Sequence, residues 1–86
     1  MTIIDHDEFF TALGRVVRRE REFLDLSQRA LAERAGLAEN TIFYAEHASR
    51  KIGFSVLVAL ANGLDLYPSD LLRATEREIE KNQSSE

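Results

Sequence analysis

Apolar residues recur at helical intervals along most of the chain. Phe10, Leu13 and Val17 are spaced by three and four, and Leu24 continues the row seven positions later. This stripe predicts a first helix from about Asp7, a suitable N-cap, to about Leu24. The member missing from the row is Arg21. A guanidinium on a core seam needs a partner, because burying it alone is costly. Phe9, Val16 and Phe23 form a second row beside the first. So wide an apolar surface is expected to cover more than one neighbour.

Asp25-Leu26 interrupts the pattern. Ser27 then offers an N-cap for a short second helix from Gln28 to about Ala35, with Ala30, Leu31 and Ala35 on its apolar side and Gly36 at its C-terminus. A third helix is predicted from about Glu39 to His47. At about 100° per residue, Glu39, Asn40, Phe43, Tyr44 and His47 share one arc, and Thr41, Ile42, Ala45 and Glu46 share the other. A loop with Arg50 and Lys51 follows. The run VLVALA lies in a fourth helix, about Ser55 to Gly63, and is apolar almost all round, which predicts burial on more than one side. Pro68 suits the first turn of a fifth helix, which carries Leu71, Leu72 and Ile79 and ends near Lys81. The polar tail, residues 81–86, is expected to fray. The expectation is an all-α fold of five helices with short connections.

The length, 86 residues, fits one domain with a modest core. There is no cysteine, which excludes a disulfide framework and fits a reducing compartment. No apolar run approaches the roughly 20 residues of a membrane helix. The start, Met-Thr-Ile-Ile-Asp-His-Asp, lacks the pattern of a signal peptide. A cytoplasmic protein, away from any membrane, is expected. The net charge of −4 argues against a nucleic-acid partner until its distribution is considered. Residues 1–12 carry a net −3, residues 13–51 a net +2 and residues 52–86 a net −3. The middle is basic between acidic ends.

Other chemistries find no support. His6 and His47 are far apart and no Cys or HExxH spacing accompanies them, so no metal site is expected. Gly14, Gly36, Gly53 and Gly63 do not cluster into a phosphate loop, and Ser27 has no base-and-acid partner set. Neither a cofactor nor catalysis is expected.

Two short helices joined by a glycine turn within a small helical bundle suggest a helix-turn-helix. Leu13-Gly14, Arg21, Leu26-Ser27-Gln28, the run LAERAGL at Leu31–Leu37, Thr41-Ile42, Glu46 and the run LVALANGLDL at Leu57–Leu66 carry the match. On these residues the chain resembles the phage repressor and Cro type of helix-turn-helix domain, the XRE family, from Leu13 to about Leu72. The resemblance divides the chain into an acidic segment (1–12) leading into the first helix, a helix-turn-helix domain (13–72) of lambda-repressor-like fold, and a C-terminal extension and tail (73–86). It also implies a partner for Arg21, namely Glu46, in a structural ion pair.

The resemblance implies that the third helix enters the DNA major groove. Glu39, Asn40, Thr41, Phe43 and Tyr44 are then the candidates for base contacts. An amide can bond adenine N6 and N7, a carboxylate can accept from cytosine N4, and apolar groups meet thymine methyls. Gln28, Arg29, His47, Ser49, Arg50 and Lys51 are the candidates for phosphate contacts. The implied function is a sequence-specific transcriptional regulator, a repressor binding a palindromic operator in double-stranded DNA as a homodimer; the apolar excess of VLVALA places the dimer surface on the fourth and fifth helices, with the acidic ends as a further candidate. Activation by touching a polymerase would look the same in sequence; the alternative of a different class is an antitoxin-like or adaptor protein whose main partner is another protein, such as a toxin, favoured by the acidic ends and the Phe9/Val16/Phe23 row.

The sequence also departs from the family pattern. Asp25 replaces a glycine but tolerates the left-handed conformation better than most residues. Ala48 also replaces a glycine and does not, so the backbone after the third helix is expected to take another path. Ile52 replaces a common proline. Ala38 replaces the usual Ser/Thr cap, which predicts a less firmly started reading helix. Ala45 replaces a larger core residue, leaving space for Phe43, Tyr44 or a fourth-helix residue to turn inward.

Overall fold

The computed structural model describes residues 3–84, and residues 1–2 and 85–86 of the predicted terminal segments lie outside it. Five helices run α1 (His6–Phe23), α2 (Gln28–Ala35), α3 (Glu39–His47), α4 (Phe54–Gly63) and α5 (Pro68–Ser84), with no strand among the described residues. The all-α expectation holds, and α2 and α3 have the predicted bounds. The first N-cap is Asp5 rather than Asp7. Asp5 is extended and its carboxylate accepts from the Asp7 N–H at 3.2 Å, while Asp7 and Glu8 lie in the first turn, where carboxylates oppose the positive end of the helix dipole. At the other end, α5 continues three residues past Lys81.

α1 packs against α3 and α5, α2 against α3 and α4, and α4 against α5. Leu13, Val16, Val17, Leu31, Ile42, Leu60 and Leu71 are fully buried at the centre. α4 packs on both α2 and α5, as its apolar run predicts: Leu57, Leu60 and Ala61 are buried, as is Leu64 just past its end, while Val58 and Ala59 are half-buried. The second row of α1 does not hold to its end. Val16 is core and Phe9 packs against it, but Phe23, in the last turn, is 82% exposed. Thr75 is also buried, and its hydroxyl donates to the Leu71 carbonyl at 2.8 Å, so it leaves no unpaired polar group.

Polar joints cross between the helices. Arg19 Nη1 meets Glu78 Oε1 at 2.8 Å between α1 and α5. Arg34 Nε donates to the Gly63 carbonyl at 2.8 Å, satisfying a free carbonyl at the end of α4.

α1, α2, α3 and α4 all end in one motif, in which a residue one or two positions past the helix turns left-handed and the next N–H reaches back to a carbonyl of the last turn. The closing bonds are Leu26 N to Arg21 O, Leu37 N to Ala32 O, Ser49 N to Tyr44 O and Leu66 N to Ala61 O, at 2.8 to 3.1 Å. The left-handed residues are Asp25, Gly36, Ala48 and Asp65. Ala48 therefore does not divert the chain, contrary to expectation. It adopts φ 52°, ψ 30° itself, and the two backbone bonds of the motif hold it there.

Candidate nucleic-acid interface

The inner side of α3 is fixed from several directions. Ile42 and Ala45 are buried, and the Glu46 side chain is 1% exposed. Arg21 grips Glu46 with two parallel hydrogen bonds, Nε to Oε2 at 2.6 Å and Nη2 to Oε1 at 3.0 Å. Its Nη1 also donates to the Leu26 carbonyl at 2.8 Å. The hydrogen bonds that Arg21 donates to Glu46 hold the guanidinium above its already high ordinary pKa. Gln28, at the start of α2, donates its amide to the same Glu46 carboxylate at 3.1 Å. One carboxylate thus ties together α1, the first residue of α2 and the last turn of α3. The ion pair implied by the resemblance is present, and Gln28 belongs to its network.

α1 crosses α3 at Gly14. A Cβ built there would lie 2.6 Å from the carbonyl oxygens of both Ala45 and Glu46. This close crossing accompanies the small residue at 45. Neither aromatic of α3 turns fully inward: Phe43 is exposed and Tyr44 half-buried.

The outer side carries the predicted base-contact candidates. Glu39 and Asn40 are exposed, and Thr41 is half-buried. Glu39 stands in the first turn, where the helix dipole favours a carboxylate. Ala38 gives the helix no side-chain cap, in line with the sequence expectation. Phe43 and His47 stack, with ring centroids 4.0 Å apart and planes 24° apart, and His47 Nδ1 donates to the Phe43 carbonyl at 2.9 Å. The Tyr44 ring meets Phe43 edge-on at 6.1 Å. The Arg50 guanidinium lies 4.3 Å from the centre of the Tyr44 ring, a cation–π contact that ties the following loop to α3.

The phosphate candidates do not form one uniform group. Ser49, Arg50 and Lys51 are exposed together in the loop after α3. They share a shallow groove with Asp7, Phe10 and Thr11 of α1, which brings an acid beside two bases. Arg29 is exposed and pairs with Glu33 on its own helix at 3.5 Å. Two contacts lay beyond sequence reasoning: the Phe43–His47 stack, whose only signal is an i, i+4 spacing, and the Arg50–Tyr44 contact, which needs the loop path. No group of three or more His, Cys, Asp or Glu among the described residues could hold a metal ion, and no described helix is long and apolar enough to cross a membrane.

A helix-turn-helix family model matches residues 17–71, well over half of the chain. No curated protein matches it in sequence. Among solved structures it is similar to the restriction-modification controller protein C.AhdI from Aeromonas hydrophila, at 29% identity over 72% of this chain and 94% of that one, with a TM-score of 0.69. It is similar to the restriction-modification controller protein C.Esp1396I at 22% identity over 85% of this chain and 95% of that one, TM-score 0.78. The clp gene regulator ClgR from Corynebacterium glutamicum matches at 18% identity over 90% of this chain and 82% of that one, TM-score 0.81. The last two likenesses bear on the fold alone.

Proposed function

This chain belongs to the helix-turn-helix family of DNA-binding regulators, and from that premise we propose that it is a cytoplasmic repressor that binds a palindromic operator as a homodimer with α3 in the major groove. The observation that carries the reading is the division of α3 into two sides. Ile42, Ala45 and Glu46 are buried or clamped, while Glu39, Asn40 and Phe43 stand exposed on the other side. A rigid helix with a free polar and aromatic face is what base readout requires.

In this reading Glu39, Asn40, Thr41, Phe43 and Tyr44 contact base edges. Gln28, Arg29, His47, Ser49, Arg50 and Lys51 contact phosphates and set the register. Two copies related by a two-fold axis place their α3 helices about one turn of DNA apart. Phe54 is 75% exposed at the start of α4, and together with half-buried Val58 and Ala59 it gives α4 apolar surface for a second copy. The chemistry described above implies neither a cofactor nor a catalytic step.

Selection of bound sequences from a random DNA pool tests this directly. The expected product is two short half-sites in inverted repeat, bound with an affinity whose logarithm falls linearly with the logarithm of salt concentration. Binding insensitive to salt and without sequence enrichment overturns the reading. It would favour the antitoxin-like or adaptor alternative, for which exposed Phe23 offers a contact outside α3.

A further inference from the structure

We propose that Phe43 reads the C5 methyl group of one pyrimidine in each half-site, and that His47 is the positioning residue that holds the Phe43 ring for this contact. The proposal rests on the DNA-binding reading above and specifies which chemical group of the operator α3 recognises.

The base edges of the major groove present donors, acceptors and one apolar group, the C5 methyl of thymine. A phenyl ring on the reading face can match only that group. Two aromatics lie on this arc, and their surroundings separate them. Tyr44 is half-buried and its ring is covered by the Arg50 guanidinium at 4.3 Å. Phe43 is 44% exposed, in the same helix as exposed Glu39 and Asn40.

An exposed phenyl ring on a helix ordinarily samples several rotamers, and ordering it on binding costs free energy. Phe43 has neighbours that restrict its ring. One face lies against His47 at 4.0 Å, and Tyr44 meets it nearly perpendicularly at 6.1 Å. The imidazole is fixed in turn, because Nδ1 donates to the Phe43 carbonyl at 2.9 Å. That bond assigns the proton of the neutral ring to Nδ1 and fixes the imidazole plane. The two residues form a preorganised apolar platform one helical turn deep. The class of ligand follows: a 5-methylpyrimidine, either thymine or 5-methylcytosine, whose methyl groups occupy equivalent places in the groove.

The test uses the full chain and the operator obtained by random-pool selection, with affinities from fluorescence anisotropy. Each thymine is replaced in turn by uracil, which removes only the methyl. One position per half-site is expected to lose about fourfold in affinity, the worth of one buried methyl group. At that position 5-methylcytosine paired with guanine should bind about fourfold tighter than cytosine paired with guanine. Phe43→Ala should abolish both preferences. His47→Ala should reduce them to less than twofold, and His47→Phe, which keeps the stack and loses the imidazole, should retain them. Both residues are exposed, so these variants should fold.

A wild-type protein indifferent to uracil at every thymine overturns the proposal. So does a preference that survives Phe43→Ala. A preference unchanged in His47→Ala overturns the positioning role. Failure to enrich any sequence overturns the DNA-binding reading and this proposal with it, and is distinguishable because no operator is then obtained.

Discussion

Arg21 of α1 and Glu46 of α3 meet through two parallel hydrogen bonds at 2.6 and 3.0 Å, with only 12% and 1% of their side chains exposed. The pair fixes the end of α3 to the first helix of the bundle. Because Gln28 shares the Glu46 carboxylate, the start of α2 is fixed by the same group. The orientation of α2 relative to α3, which sets how a helix-turn-helix sits on a duplex, thus depends on one buried acid.

Removing that acid leaves a largely buried guanidinium without its counter-charge. Glu46→Ala is expected to cost about 3–5 kcal/mol, a large part of the stability of a domain this size. Urea unfolding followed by circular dichroism measures it. The double variant Arg21→Met with Glu46→Leu should be more stable than either single replacement, since it removes both charges together. Additive losses in that cycle would show that the two side chains act independently.

Gly14 is the second point of fixation. Its Cβ position is occupied by backbone, 2.6 Å from two carbonyl oxygens of α3, which cannot move aside as a side chain would. Gly14→Ala should destabilise by about 3 kcal/mol despite the better helix propensity of alanine. The displacement falls on α3, so DNA affinity should drop as well. Gly63→Ala serves as the control. There a Cβ meets the Leu31 and Ala35 side chains at 2.9 Å, and the expected loss is about 1–2 kcal/mol with unchanged affinity. Equal losses at the two sites would contradict the argument.

Much of this was legible in the sequence because helical spacing, caps and glycine stops act locally. Ser27 and Gly36 bound α2 where their chemistry says they should. Asp5 and Asp7 are equally good caps by type, and only the extended backbone at Asp5 decides between them. The Phe9/Val16/Phe23 row reads as one surface, yet it outruns the helices that cover it, so Phe23 stays exposed. Alanine's poor left-handed propensity argued against Ala48 in that conformation. The motif's backbone hydrogen bonds, which propensity does not count, outweighed it. The outward arc of α3 was visible by periodicity, but which of Phe43 and Tyr44 stands more exposed was not. It depends on Arg50, whose loop path no spacing rule provides.

The left-handed residues make a graded prediction. A non-glycine residue there costs about 1–2 kcal/mol, less for aspartate. Ala48→Gly should stabilise the protein by about 1 kcal/mol once the greater freedom of glycine in the unfolded chain is set against the relief. Asp25→Gly and Asp65→Gly should gain less, and Gly36→Ala should lose stability. Thermal unfolding of the four variants should give this order. A destabilised Ala48→Gly would contradict the assignment of strain to that position.

Ala38 leaves the first N–H groups of α3 without a side-chain acceptor. Ala38→Ser supplies one, and about 1 kcal/mol of added stability is expected. Amide hydrogen exchange locates the effect. Protection should rise in the first turn of α3 and stay unchanged in α5. A uniform change across the domain would assign the gain elsewhere.

The division between reading and positioning predicts two kinds of loss on DNA. The Asn40 side chain is exposed and makes no hydrogen bond or ion pair with another described residue, so it is free to contact a base edge. Asn40→Ala should cost about 1–3 kcal/mol on the selected operator and relax preference at a single base pair. Lys51, exposed in the loop after α3, offers only a point charge. Lys51→Ala should weaken all sequences alike and lower the slope of log K against log salt by about 1. Binding measured at three salt concentrations, on the operator and on its single-position variants, separates the two. If both variants lose affinity with no change in sequence preference, direct readout by Asn40 is wrong, and the specificity of α3 rests on its other exposed groups.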